Sequence, residues 1–313
     1  MRATGRCVAV MQGNEMAAVL IAVVVALLLG HFVPVLAGWR HFGVFSAWLR
    51  ALEAPKWLSA LQSSRFGLLL AVGLPVALVL LIQLALRGHG YGLPSFVFAA
   101  LVLFYCWGPR DLDRDVSAVL DASDHATQRE AARRLAPESR PVRLSGAGLV
   151  EAAFRGALSR WFAVLLWFLL LGPAGAVLYR LAALIDDHET GVPLSPMHAA
   201  AAGRLRAVLE WPVAQLMVLS LGLVANMDAV FHAWRDWFRQ DGRGFWSLDS
   251  GFLGPVARAG VDRELADDEY YDPEDGSEPP PLLELQDAMS LIWRMLLLWL
   301  TVLALFVLAG VVN

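Results

Sequence analysis

Residues Trp161 to Leu184 read WFAVLLWFLLLGPAGAVLYRLAAL, and the way this run is read decides the fold. It has the length of a membrane span, since about 20 apolar residues cross ~30 Å of hydrocarbon as a helix. Yet Gly172, Pro173 and Gly175 interrupt its middle, and Tyr179 and Arg180 stand near its far end. A plain anchor needs neither feature. A helix break exposed to lipid leaves backbone groups without partners, so it is tolerated only where neighbouring helices or a polar cavity satisfy them. The run is therefore expected to be a packed, broken helix near the centre of a bundle, forming part of a site.

The rest of the chain agrees with a membrane setting. Of its 313 residues 58% are hydrophobic and only 17% charged, and the mean hydropathy is +0.54, outside the balance of a soluble globular domain. Five stretches have span character: Ala17 to Leu36, Phe66 to Leu86, Leu93 to Trp107, Trp161 to Leu178 and Met295 to Val312, with a sixth candidate from Trp211 to Ala225. The alternating pattern of an outer-membrane barrel is missing. The expected fold is all-α, a polytopic transmembrane bundle of five or six spans.

Charge sets the expected topology. Lys and Arg in short loops near span ends mark the cytoplasmic side, and they gather after the first span (Arg40, Arg50, Lys56, Arg65) and after the third (nine arginines between Arg110 and Arg160). The short hairpin after the second span carries only Arg87. The domain plan that follows has a doubtful leader or start-site over-call at 1–15 and three N-terminal spans in 16–108. A helical cytoplasmic connection at 109–160 leads to a membrane core at 161–231. An amphipathic then acidic, Pro-rich segment fills 232–288, and the last span lies in 289–313. Residues Asp262 to Asp287 hold eleven acids against one arginine, with three consecutive prolines, a composition expected to form a mobile tether. The two cysteines, Cys7 and Cys106, support neither a disulfide framework nor a metal site. The nine arginines of 109–160 are matched by eight acids, which argues against a nucleic-acid partner. The lipid bilayer is the expected partner.

Ionisable groups within spans are costly and invite a functional reading. His31 beside Pro34 is either a proton carrier or a residue that satisfies backbone at a kink. Arg294 is expected to snorkel to the interface. Arg180, five residues beyond the Gly-Pro-Ala-Gly break and just before Asp186-Asp187, is either the reader of an anionic group or half of a Tyr-Arg interfacial anchor. Walker, zinc-protease, nucleophile-elbow and kinase motifs are absent, and Ser145-Gly146-Ala147-Gly148 lacks the lysine of a phosphate-binding loop. No cofactor and no metal is implied.

Two longer stretches carry a family likeness: EAAFRGALSRWFAVLLWFLLLGPAGAVLYRL from Glu151 to Leu181, and GRLRAVLEWPVAQLMVLSLGL from Gly203 to Leu223. With the opening MAAVLIAVVVALLLGHFVP from Met16, they resemble the AmpE family of inner-membrane proteins linked to β-lactamase induction, and more distantly the CobD/CbiB cobinamide-phosphate synthases. The polar segments of those synthases are replaced here by GALSRWF (156–162) and LAALIDD (181–187). The resemblance implies an inner-membrane regulator handling an anionic, cell-wall-derived ligand, with a membrane or cytoplasmic protein as further partner. It implies no catalytic residue. Glu151, Arg155, Tyr179, Arg180 and Asp186 would bind the ligand, with Gly172, Pro173 and Gly175 as the structural break. The alternative it implies is a membrane enzyme that forms an amide in cobalamin biosynthesis.

Overall fold

In the computed structural model the described residues are 43–53, 67–86, 93–107, 111–135, 142–187, 191, 196–240, 248–267 and 281–312. The leader, the expected first span with His31 and Pro34, Lys56, and Tyr270-Tyr271 lie outside them. Apart from short turns and connections, the described residues are helical, with no strand among them. In chain order the helices are α1 (Gly43–Glu53), α2 (Gly67–Leu86), α3 (Leu93–Cys106), α4 (Leu112–Leu120), α5 (His125–Arg133) and α6 (Gly146–Ala157). A π-helical turn (Leu158–Phe162) joins α6 to α7 (Ala163–Leu171), after which come α8 (Pro173–Asp186), α9 (Pro196–Val224), α10 (Met227–Gln240), α11 (Leu253–Asp267) and α12 (Pro281–Val312).

Four described stretches are long and apolar enough to cross a membrane: Gly67–Leu86, Gly146–Leu171, Met197–Val224 and Leu282–Ala309. Helix α3 is apolar but shorter. This is a polytopic helical membrane protein. Three details differ from the sequence reading. The run from Trp161 is not one interrupted span, because it completes a helix that starts at Gly146 and then begins another at Pro173. The helix runs from Gly146 through the π-turn to Leu171, so the border drawn at residue 160 falls inside it. The run from Trp211 is the second half of the long helix α9. Finally, the acidic segment is not tether throughout: its first residues belong to α11 and its last to α12, where Arg294 pairs with Glu264 at 2.6 Å and lowers the cost of the acidic charge.

The chain forms two compact units, one drawn from residues 1–109, 164–206 and 299–313, the other from 110–163 and 207–298. In the first, α2 is apolar on all sides, as a helix within a membrane must be. Pro75 lies in its interior and cannot donate to the carbonyl of Ala71 four residues back. Trp48 on α1 fills that vacancy, its indole Nε1–H donating to the Ala71 carbonyl at 3.2 Å. Around this contact Phe45, Leu49, Ala71, Val72, Leu181, Leu184, Ile185 and Ala202 form a buried cluster.

In the second unit the short helices are started by side-chain caps. Asp111, Asp124 and Ser145 accept from the amides of Asp113, Thr127 and Gly148, satisfying groups that a helix start leaves free. Gly156 on α6 lets that helix close on α4: a Cβ there would lie 2.8 Å from Leu112 Cδ1. Phe231, Trp234, Trp237 and Phe238 of α10 pack mostly edge to face, and Trp237 and Phe238 also meet Phe252.

Candidate functional site

The break at Gly172 has φ +71°, a conformation that glycine adopts readily and other residues do not. Pro173 occupies the first turn of α8, where its missing N–H costs nothing. The groups freed by the break are met by Gln83 of α2: its side-chain oxygen accepts from the Ala174 amide at 3.3 Å, and its nitrogen approaches the Leu171 carbonyl at 3.5 Å. A Cβ on Gly172 would come 2.6 Å from Gln83 Nε2. Gly175 completes the joint, since any side chain there would strike the Trp167 carbonyl. The partner expected for a packed break is thus one glutamine. Sequence reading overlooked Gln83, although a lone polar side chain in the apolar helix GLLLAVGLPVALVLLIQLAL was the available signal.

Tyr179 and Arg180 follow on α8, both buried. Arg180 is only 5% exposed, and its Nε donates to the carbonyl of Cys106 at 2.8 Å. Cys106 ends α3, so the guanidinium sits where a helix leaves carbonyls unmatched and where the macrodipole favours a cation. Arg180 therefore has a structural partner in addition to any ligand. Asp186 pairs with Arg206 of α9 at 3.0 Å, and Arg206 also pairs with Asp187. Gly203 makes room for this arrangement, a Cβ there lying 2.8 Å from the Asp186 carboxylate. Arg206 was missed as a partner because its distance in sequence hides a fold-back between α8 and α9.

Glu151 and Arg155 belong to the other unit. They form an i,i+4 ion pair on α6 at 2.8 Å, with side chains 39% and 32% exposed. Glu151 also lies against α11, where a Cβ on Gly254 would be 3.0 Å from its carboxyl carbon. The five expected ligand residues thus fall into two separate groups, Tyr179-Arg180-Asp186 and Glu151-Arg155. Only the second presents a half-open charged pair.

Near that pair the helix widens into its π-turn, a feature often found at functional positions. The turn aims Arg160 at the buried Asp115 carboxylate, 2.6 Å away, and at the Arg134 carbonyl, 2.7 Å away. Trp161 on the same turn is 2% exposed, and its indole N–H has no partner. Its ring lies 5.1 Å from that of Trp293, and Trp293 Nε1 donates to Asp113 at 3.3 Å. Nothing in the sequence marks a π-turn. The Arg160-Trp161 and Trp293-Arg294 dipeptides were visible only as residues at span ends.

A family model described as "CobD/Cbib protein" matches residues 19–290 of the chain. No curated protein and no solved structure matches it.

Proposed function

The chain belongs to the CobD/CbiB family, and from that premise we propose that it is a membrane protein of cobalamin biosynthesis that joins a corrinoid carboxylate to an amino-alcohol phosphate as an amide. The observation that carries this reading is the extent of the match, residues 19–290, which includes α1 to α11 and the start of α12. In this reading Glu151 and Arg155 contact the ligand, because they form the half-open charged pair of the set. Arg180 acts as a positioning residue, holding the end of α3 while Tyr179 packs beside it. Asp186 belongs to the same support, through Arg206.

A second reading follows from one departure. The family's polar segments are replaced by GALSRWF and LAALIDD, and what polar groups remain there are engaged within the chain: Arg160 with Asp115, Asp186 and Asp187 with Arg206. This favours an inner-membrane protein that keeps the scaffold without the reaction, as in the AmpE-type regulation of β-lactamase induction by a cell-wall recycling product. The β-lactamase role itself rests on the sequence resemblance alone.

Deletion in the native host separates the two. Under the synthase reading the deletion strain accumulates the corrinoid acid and loses complete cobalamin, while β-lactamase induction is unchanged. Under the regulatory reading corrinoids are unchanged, and induction and the muropeptide pool shift. A strain unaltered in corrinoids removes the synthase reading.

A further inference from the structure

Helix α10 places a charged face beside an apolar one. It begins at Met227, soon after α9 ends at Val224, and Asn226 caps the turn by accepting from the Ala229 amide at 3.1 Å. The chain then doubles back along α9. A Cβ on Gly222 would lie 3.3 Å from the Phe231 ring, and Trp234 Nε1 donates to Gln215 Oε1 at 3.2 Å. Gln215 stands nine residues before Val224, about 13 Å along the helix at ~1.5 Å per residue. The first half of α10 therefore lies level with the exposed Leu216, Leu219 and Leu223 of α9. Leu219 is one helical turn from both Gln215 and Gly222, so the two surfaces adjoin. This part of α9 belongs to Met197–Val224, a stretch long and apolar enough to span.

The apolar side of α10 is turned into the protein: Val230 is buried, and Trp237 and Phe238 meet Phe252. On the other side Asp228, His232, Arg235 and Arg239 recur at helical spacing as one exposed stripe. Asp228 approaches His232 at 3.2 Å yet keeps 86% of its side chain exposed. Ionisable groups level with lipid-facing leucines are costly against lipid; they face protein or polar surroundings and pair with one another. The order of charge along the stripe says what it pairs with. An acid stands in the first turn and a cation in the last, so the stripe complements itself when turned end for end. A twofold axis does this for both copies at once, whereas a parallel arrangement would set like charge on like.

We infer that the charged face of α10 is an interface with a second copy of this chain. The two α10 helices pack antiparallel, with Asp228 of each copy against Arg239 of the other and His232 and Arg235 between them. Neither the amide-forming reading nor the regulatory one is needed for this assignment.

The test reconstitutes the full chain, labelled with a fluorophore after Asn313, in phosphatidylcholine vesicles over a range of protein-to-lipid ratios, and counts copies by single-molecule photobleaching. The wild type is expected to form dimers and no larger species. Asp228→Arg and Arg239→Asp each set like charges together and should weaken the dimer about tenfold or more. The Asp228→Arg/Arg239→Asp double variant should return to within about threefold of the wild type, because each copy again offers opposite signs at its two ends. If the single reversals misfold, mixed copies carrying either Asp228→Cys or Arg239→Cys, in a Cys7→Ser background, decide instead. Oxidation should then join position 228 of one copy to position 239 of the other in preference to 228–228 or 239–239 links, as read by peptide mass spectrometry. Monomers at every ratio overturn the inference, and the stripe then faces water. Dimers indifferent to both reversals, dimers not restored by the double variant, or no preference for the 228–239 link also overturn it.

Discussion

At the residue scale, two hydrogen-bond substitutions do much to explain how interrupted helices are kept in this membrane protein. Gln83 meets the break at Gly172, and Trp48 meets the carbonyl left free by Pro75. Each replaces a bond that the backbone cannot make for itself, and a group left unmatched inside a membrane has no water to turn to. Gln83→Leu should lower the thermal midpoint of the purified protein, corresponding to about 1–3 kcal/mol for the unsatisfied amide at Ala174. Gly172→Ala should cost a similar amount through its positive φ and its clash with Gln83. The Trp48 bond can be isolated by a double-mutant cycle. Trp48→Phe should destabilise the wild type by about 1 kcal/mol but have less effect in a Pro75→Ala background, where the backbone again supplies its own donor. Equal effects in both backgrounds would show that Trp48 acts only by packing. Both prolines were plain in the sequence, and so was Gly172; their partners were not, because Trp48 and Gln83 are 23 and 91 residues from the groups they satisfy.

At the scale of elements, the joint between α4, α5 and the π-turn depends on Arg160. Its guanidinium joins Asp115, with both side chains largely buried, and the carbonyl of Arg134 at the end of α5. Removing one member of a buried pair strands the other, so Asp115→Asn should cost about 3–5 kcal/mol, and hydrogen exchange should show α4 and α5 opening together. Helix α5 also reports pH. Hydrogen bonding to Thr127 holds the Asp124 carboxyl below its ordinary range. A lowered pKa means that the folded state releases the proton more readily, so the cap is fully effective above the unfolded pKa and weakens as pH falls through the folded one. Protection of the Thr127 amide should fall on acidification in the wild type. In Asp124→Asn, which caps without titrating, that acid-dependent loss should be absent. The caps Asp111, Asp124 and Ser145 stand directly ahead of their helices, but the sequence reading did not assign them. The continuity of α6 into α7 was not legible, because a charged, amphipathic start and an apolar end look like two elements when only hydropathy is followed.

For the whole molecule, the all-helical, multi-span fold was legible from composition and from the lengths of the apolar runs. The division into two units was not, since three of its four cuts, after residues 163, 206 and 298, run through helices, where hydropathy gives no border. The candidate site was legible only in part. The sequence named Glu151, Arg155, Tyr179, Arg180 and Asp186, but adjacency along the chain could not show that Asp186 turns to Arg206 or that Arg180 covers the end of α3. If Glu151 and Arg155 read the ligand and Arg180 supports the scaffold, the variants should separate. Arg155→Ala should raise KM for the phosphate-bearing substrate about tenfold or more with the fold intact, whereas Arg180→Ala should lower thermal stability first. Equal loss of stability in both would place Arg155 in the scaffold as well.

The central claim is that membership of the CobD/CbiB family extends to the reaction. The most direct measurement incubates the purified chain in nanodiscs with a corrinoid acid, an amino-alcohol phosphate and a nucleoside triphosphate, and follows the corrinoid by mass spectrometry. The account predicts a product heavier by the amino-alcohol phosphate less one water, formed by the wild type and strongly reduced in Glu151→Ala. A folded, monodisperse wild-type protein that leaves the corrinoid acid unchanged would contradict it.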